Sequence, residues 1–555
     1  MDKQFEQFLE MIRMSYLTTG VAVTHPEPIR REFTVPAADG SALFVYAYFP
    51  SEEGVFPVIV QRNPYANQGM DYILQIGGEE FAKRGYIYLC QHCRGTGRSE
   101  GAWEPNVNER ADGLALLDWL CGQPWCGNVG LMGDSYLSMV GWAVADQAPS
   151  KVKSMFLGNY GVDRFTSLYQ DGMLRHDVMT AWAMENAGFP VSADYLESCR
   201  FRPHIEVDEK LWGGRLEWYR GYLHNPLRSD PLWNEGLWKE FSDIPANIRI
   251  PLYISDQWYD HHLGSALYSY EHLNCESRAH SVLRIGGTNH FGTPCLQDRE
   301  VKQAAVNAVK EQMEWFELTL KQGKLPQATV YTYLVNRDVW QEWDTWPLPA
   351  GETLALAFSA EGEGNVRTLA VQAQAGTVGF VYDPEDPVPS HGAEAMLHTK
   401  TEIGSLLQPE PGWREDVISF VSSPLDADRE IAGRIKVTLH VSTDAPDTAF
   451  TAKVMEVMPD GRAYNIRSTI AVISAQHGSY TPGEIVPLTL EMWDIDWMLS
   501  KGSCLRVDVS SSDFPQYSVH PNLAGPWYEQ TESRTARQEI HCGGRSSIEI
   551  PVRGR

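Results

Sequence analysis

Asn128-Val129-Gly130-Leu131-Met132-Gly133-Asp134-Ser135-Tyr136-Leu137-Ser138 is the stretch that decides the fold. Residues 128–133 read as a short buried strand, and residues 138–148 read as a helix. A serine between them has the setting of a nucleophile elbow. The chain turns sharply, small residues flank the serine, and its hydroxyl stands clear at the end of a sheet. The new helix offers free N–H groups and its positive dipole end to a developing oxyanion. The match departs from Gly-x-Ser-x-Gly and Gly-x-Ser-x-x-Gly, because Leu137 and Ser138 stand where the second glycine would be. The plain structural alternative is a helix capped by Ser135 or Asp134.

Working outward, residues 56–61 and 86–91 read as buried strands, and residues 71–84 and 109–122 as helices. Alternating strands and helices predict a mostly parallel α/β sheet. Between about 150 and 247 the alternation lapses, and helical segments such as 177–187 and 211–222 suggest an insertion. Strand signals return at 251–255 (PLYIS) and 281–286 (SVLRIG). A helix is expected over 302–322, with Ala305, Val309, Met313, Phe316 and Leu320 as its apolar positions. After 348, short β-type runs separated by Gly, Pro and Asp predict an all-β sandwich.

Composition narrows the function. The chain has 555 residues, 46 Lys+Arg and 72 Asp+Glu, for a net charge of −26. This balance argues against nucleic acid or an anionic membrane as partner, since phosphate contacts need basic patches. A 43% hydrophobic content can bury large cores. Nine cysteines spread over this length suit a reducing compartment, so a cytoplasmic location is expected. Residues 1–20 lack the basic and apolar regions of a signal peptide. They read as an amphipathic helix with Phe5, Phe8, Leu9, Ile12 and Met14 on or near one face.

A serine hydroxyl needs a base, and the base needs an orienting acid. In an α/β-hydrolase both follow the serine, acid then base, each in a loop after a later strand. PLYIS is followed by Asp256-Gln257-Trp258-Tyr259-Asp260, and SVLRIGG by Thr288-Asn289-His290. Ser135, Asp260 and His290 thus stand in the right order. Asp256, His261 and His262 are rivals, and position alone does not separate Asp256 from Asp260.

These motifs resemble those of the CocE/NonD hydrolases, which include cocaine esterases, α-amino acid ester hydrolases and X-prolyl dipeptidyl aminopeptidases. The resemblance rests on Gln123-Pro124-Trp125, Trp125-Cys126-Gly127-Asn128-Val129-Gly130, Gly133-Asp134-Ser135-Tyr136 and Asn63-Pro64-Tyr65. It extends to Arg94-Gly95-x-Gly97-x-Ser99-x-Gly101, Trp258-Tyr259-Asp260, Gly286-x-x-x-His290, residues 423–466 and Ser510-Ser511-Ser512-Asp513-Phe514-Pro515. It implies an α/β-hydrolase domain over 1–148 and 248–348, an inserted helical cap over 149–247 and a C-terminal jelly-roll β-sandwich over 349–555. It assigns Ser135 as nucleophile, Asp260 as acid and His290 as base. The Tyr65 hydroxyl and the Tyr136 N–H become the oxyanion hole. No metal or organic cofactor is implied, and a homo-oligomer is expected. The loop before His290 reads Gly-Gly-Thr-Asn, where the family has Gly-Pro-Trp-x.

The expected activity is cleavage of an ester, amide or short-peptide bond through an acyl-enzyme, with a general carboxylesterase first. Aminoacyl ester or X-prolyl peptide hydrolysis is the alternative, and needs a carboxylate for a substrate amine; Asp163, Asp171, Asp177 and Glu185 are candidates. Acyl transfer by the same triad is another reading. A non-catalytic carbohydrate-binding role leaves the ordered triad candidates unexplained. Tyr160, Phe165, Tyr169, Trp182 and Phe189 are candidate pocket walls. Cys90-x-x-Cys93 lacks a second ligand pair, residues 94–101 lack phosphate-loop spacing, and Asp444, Asp447 and Asp460 read as turn residues rather than a Ca²⁺ site.

Overall fold

The computed structural model describes residues 3–66, 69–304, 306–349, 351–394 and 403–554. Its first half is built on a ten-stranded sheet. The strands, in chain order, are β1 (Ile29–Pro36), β2 (Ala42–Phe49), β3 (Phe56–Asn63), β4 (Ile87–His92), β5 (Cys126–Asp134) and β6 (Val152–Gly158). A two-stranded hairpin, β7 (Tyr169–Gln170) and β8 (Met173–Leu174), forms apart from it. The large sheet continues with β9 (Leu252–Tyr259), β10 (Val282–Asn289), β11 (Thr329–Leu334) and β12 (Val339–Trp343). Its spatial order is β1-β2-β4-β3-β5-β6-β9-β10-β11-β12. Strands β4 through β11 in that order run parallel, and the antiparallel pairs lie toward the edges. The interior strands β4, β9 and β10 are buried along their whole length, as parallel strands covered on both faces must be.

This is the α/β-hydrolase-like arrangement expected, with three strands the sequence reading did not find, β6, β11 and β12. Residues 152–158, read as part of the helical insertion, form β6 between β5 and β9. Lys153 and Ser154 interrupt its apolar pattern, yet Ser154 is fully buried because its hydroxyl shares a 2.7 Å hydrogen bond with Thr319. The helices therefore begin after Gly158.

Helix α1 (Lys3–Leu17) forms as expected, but Leu9 and Tyr16 turn inward while Phe8 and Met14 are exposed. The Phe5 side chain lies outside the described residues. Helices α2 (Met70–Lys83) and α3 (Glu109–Cys121) match their sequence signals. Helix α4 (Tyr136–Trp142) starts directly after Ser135, two residues earlier than expected. The helix expected over 302–322 begins only at Ala308, because Asn307 caps it by accepting from the Lys310 N–H, and a wide turn over Glu317–Lys321 completes it. Ala305 lies outside the described residues.

Between β6 and β9 the chain forms a run of helices, including α5 (Arg164–Leu168) and α6 (His176–Glu185). Aromatic rings fill their core, with Tyr222 and Trp233 stacked at 5.9 Å. Phe165 and Tyr169 belong to this cluster. Phe189 packs against Gly214.

The C-terminal region is all β. Its strands form one branched 12-stranded sheet. The last strand, Ala536–Gly554, pairs with four others and ties the sheet into a nearly closed barrel. This domain is braced against the first, since Arg467 donates to the Trp258 carbonyl one strand residue before Tyr259. Among the described residues, no helix is long and apolar enough to cross a membrane.

Candidate active site

Strand order brings the sequence-predicted residues together. Ser135 follows β5, Asp260 follows β9 and His290 follows β10, all at the carboxyl ends of parallel strands. Open α/β sheets bind ligands at that edge.

Ser135 holds φ 57° and ψ −130°, a strained backbone for a residue with a side chain. Its N–H donates to the Gly158 carbonyl at 3.0 Å, and its own carbonyl accepts from Ser138 and Met139 as α4 begins. Gly133 makes the turn possible: a Cβ there would lie 2.2 Å from the Leu137 oxygen. Ser138, in place of an elbow glycine, fits with its hydroxyl buried and without a hydrogen-bond partner. Tyr136 is the first helical residue, so its N–H has no acceptor within the helix. Its phenol points away, donating to Glu109 at 3.2 Å and accepting from the Asn106 N–H at 2.7 Å.

The His290 Nε2 lies 3.1 Å from Ser135 Oγ, and its Nδ1 lies 2.7 Å from Asp260 Oδ2. The other Asp260 oxygen accepts from the His262 N–H at 2.7 Å. Burial opposes protonation of His290, but the Asp260 charge and hydrogen bond outweigh it, so the net shift is upward from 6.5. The Asn159 side chain donates to the His290 carbonyl at 3.0 Å and steadies the loop. No pattern around Asn159 marked it in the sequence.

The rivals have other places. Asp256 lies inside β9, with one oxygen accepting from the Gln257 N–H and the other unbonded. Burial, and then the Asp260 charge, push its carboxyl toward the neutral form. His262 pairs with Ser167 Oγ at 2.7 Å. The His261 ring lies tilted 4.6 Å from His290, with its Nδ1 3.8 Å from Asp260 and without a hydrogen bond among the described residues. Burial keeps both imidazoles neutral, reinforced by the neighbouring histidines. Asp260, His261 and His290 bring ligand-type atoms within 4.8 Å of one another, but this grouping includes the very atoms that join His290 to Asp260.

Tyr65 stands two residues past β3. Its phenol oxygen accepts from the Trp182 indole N–H at 3.1 Å, which leaves its own proton free to donate. Burial raises its pKa, so it stays a donor at neutral pH. Trp182 comes from α6, and its ring stacks on Tyr136 at 6.0 Å.

These residues line a cavity of about 410 Å³. Of the candidate wall residues, Tyr160 and Trp182 face it, whereas Phe165, Tyr169 and Phe189 do not. Phe291 also lines it and packs edge-on against His290 at 5.5 Å. An aromatic thus stands next to His290, one residue after it rather than before. Of the four candidate carboxylates only Glu185 reaches this cavity. Asp163 is paired with Arg228, Asp171 with the β-domain's Gln476, and Asp177 is buried beside Arg175.

The remaining motifs are structural. Cys90 and Cys93 are buried, and burial raises both thiols, which keeps them protonated. Gly97 passes so close to His92 that a Cβ would meet its ring at 2.2 Å, and Arg94 pairs with Asp39 and Asp112. Asp447 accepts from Ser474 and Thr448, while Asp444 and Asp460 bond to local chain and arginines.

Comparison with known proteins bears on the family and the fold. Residues 39–292 match the X-Pro dipeptidyl-peptidase (S15 family) model, and residues 307–549 match the X-Pro dipeptidyl-peptidase C-terminal non-catalytic domain. The chain is 27% identical over 572 aligned positions to cocaine esterase from Rhodococcus sp. (strain MB1 Bresler), covering 93% of this chain and 97% of that one. An aminopeptidase from a marine sediment Thaumarchaeota archaeon superposes with a TM-score of 0.79 at 18% identity, covering 96% of this chain and 97% of that chain. An α-amino acid ester hydrolase gives 0.78 at 20% identity, with 96% and 98% covered.

Proposed function

This chain belongs to the CocE/NonD serine hydrolases, and from that membership we propose that Ser135, His290 and Asp260 form its catalytic triad, acting on a small ester. One observation carries this assignment: the unbroken hydrogen-bonded path from Ser135 Oγ through His290 to Asp260, at 3.1 and 2.7 Å. Ser135 attacks the carbonyl carbon as His290 takes its proton. Asp260 holds the imidazole with Nε2 toward the serine and balances the imidazolium that forms. The Tyr65 hydroxyl and the Tyr136 N–H stabilise the tetrahedral oxyanion. His290 then protonates the leaving group, and a water deprotonated by the same imidazole releases the acid. A cytoplasmic homo-oligomer with a jelly-roll C-terminal domain completes the reading.

Ser135→Ala tests it. The variant is expected to keep its fold and lose both ester turnover and labelling by a fluorophosphonate. Labelling that survives would place the nucleophile elsewhere. Aminoacyl ester or X-prolyl peptide hydrolysis is the second reading, favoured by Glu185 on the cavity wall, where it suits a substrate amine. Comparing p-nitrophenyl acyl esters with Xaa-Pro anilides separates the two.

A further inference from the structure

Arg164 is the unusual charge in this cavity. It is the first residue of α5, is 6% exposed, and lines the same space as Ser135 and His290. The other buried arginines, Arg62, Arg84, Arg175, Arg220, Arg284, Arg467 and Arg506, each have a carboxylate within 4.0 Å. Among the described residues, Arg164 has none. Its sequence neighbour Asp163 is committed to Arg228 at 2.6 Å. Among the described residues its Nε is buried without a hydrogen bond, its NH2 group has a 3.8 Å contact to the Met179 sulfur, and the Tyr222 ring lies 5.9 Å from its centre. The Tyr160 ring lies 5.9 Å away, and the Tyr160 hydroxyl, on the same cavity wall, is also buried and unbonded. Glu185 lines the cavity too.

A guanidinium cannot shed its charge at any ordinary pH, so burying one without a counter-ion is costly. Two unsatisfied donors on one wall of a catalytic cavity make a site that a planar oxyanion would satisfy, because the guanidinium fork matches a carboxylate. We propose that Arg164 and Tyr160 form a subsite for a carboxylate carried by the substrate, so that the preferred ester is anionic. This rests on the serine-hydrolase reading above and specifies its substrate class. The chain's net charge of −26 repels such a substrate at long range, so the selectivity is local and short-ranged.

The test uses the full-length enzyme and matched esters. On the acyl side, monoethyl succinate, glutarate and adipate are compared with their isosteric primary amides. On the leaving-group side, acetoxyacetate is compared with acetoxyacetamide. At least one carboxylate ester is expected to exceed its amide tenfold or more in kcat/KM, mostly through KM. Arg164→Met is expected to reduce that ratio tenfold or more, Arg164→Lys less, and Tyr160→Phe about threefold. If no carboxylate ester is preferred by the wild type, or if the ratio survives Arg164→Met, the subsite is refuted. Because the wild-type comparison needs no variant, a misfolded Arg164→Met leaves the test decisive. Fluorophosphonate labelling with turnover of the amides shows that the triad reading stands even where the carboxylate preference fails.

Discussion

Trp182 donates its indole N–H to the Tyr65 phenol oxygen at 3.1 Å, across 117 residues of chain. The bond joins the helical insertion to the loop after β3. It spends an acceptor lone pair of Tyr65 and leaves the phenolic proton free to donate, on the cavity that Tyr65 and Ser135 both line. Tyr65→Phe removes the donor itself. Loss of one oxyanion-hole donor costs about 10²–10³-fold in kcat, with little change in KM. Trp182→Phe keeps an aromatic ring but frees the phenol to turn, and a loss of about tenfold is expected. Steady-state kinetics on one ester checks both, and a KM-dominated loss in Tyr65→Phe would contradict the role.

In the proposed mechanism His290 acts as a base only when neutral, so activity is expected to rise with pH through its pKa. The Asp260 charge raises that pKa above 6.5, which places the acid limb of kcat/KM above 6.5. Asp260→Asn removes the charge, moves the limb to lower pH, and costs about 10⁴-fold in kcat by favouring the wrong tautomer. The linked stability has the opposite pH sense. It is fully present below the unfolded pKa of the imidazole and is lost as pH rises through the folded value. An unmoved limb in Asp260→Asn would show that Asp260 does not set it.

The elbow supplies two stability predictions of opposite sign. Gly133→Ala forces a Cβ to within 2.2 Å of the Leu137 oxygen, where backbone must shift. A loss of about 2–4 kcal/mol is expected in denaturant unfolding, together with loss of activity. Ser138→Ala removes a buried hydroxyl that has no partner. A gain of about 1 kcal/mol is expected, with turnover unchanged within about twofold. A destabilised Ser138→Ala would mean that the hydroxyl is bonded after all.

Much of this molecule was readable along the chain. Gly133-Asp134-Ser135 marks a strand-to-helix turn because neighbours in sequence set backbone sterics. The continuous apolar runs of β3, β4 and β9 announce a covered parallel sheet for the same local reason. The order Ser135, Asp260, His290 adds the topology, since each follows a strand. What stayed hidden depends on contacts between distant residues. Strand β6 was missed because Ser154 is satisfied by Thr319 in a segment far along the chain.

The sequence by itself determined the elbow, the two-part architecture and a short list of acids and bases, since these follow from local pattern and chain order. Only the tertiary structure joined Ser135, His290 and Asp260 in one hydrogen-bonded path and left Asp256, His261 and His262 off it. A strand fixes Asp256 within the sheet, whereas Asp260 lies past its end, where adjacent parallel strands deliver their loops to one place. Only packing of the insertion over that edge put Trp182 on Tyr65 and left Arg164 lining the cavity with no carboxylate counter-ion among the described residues.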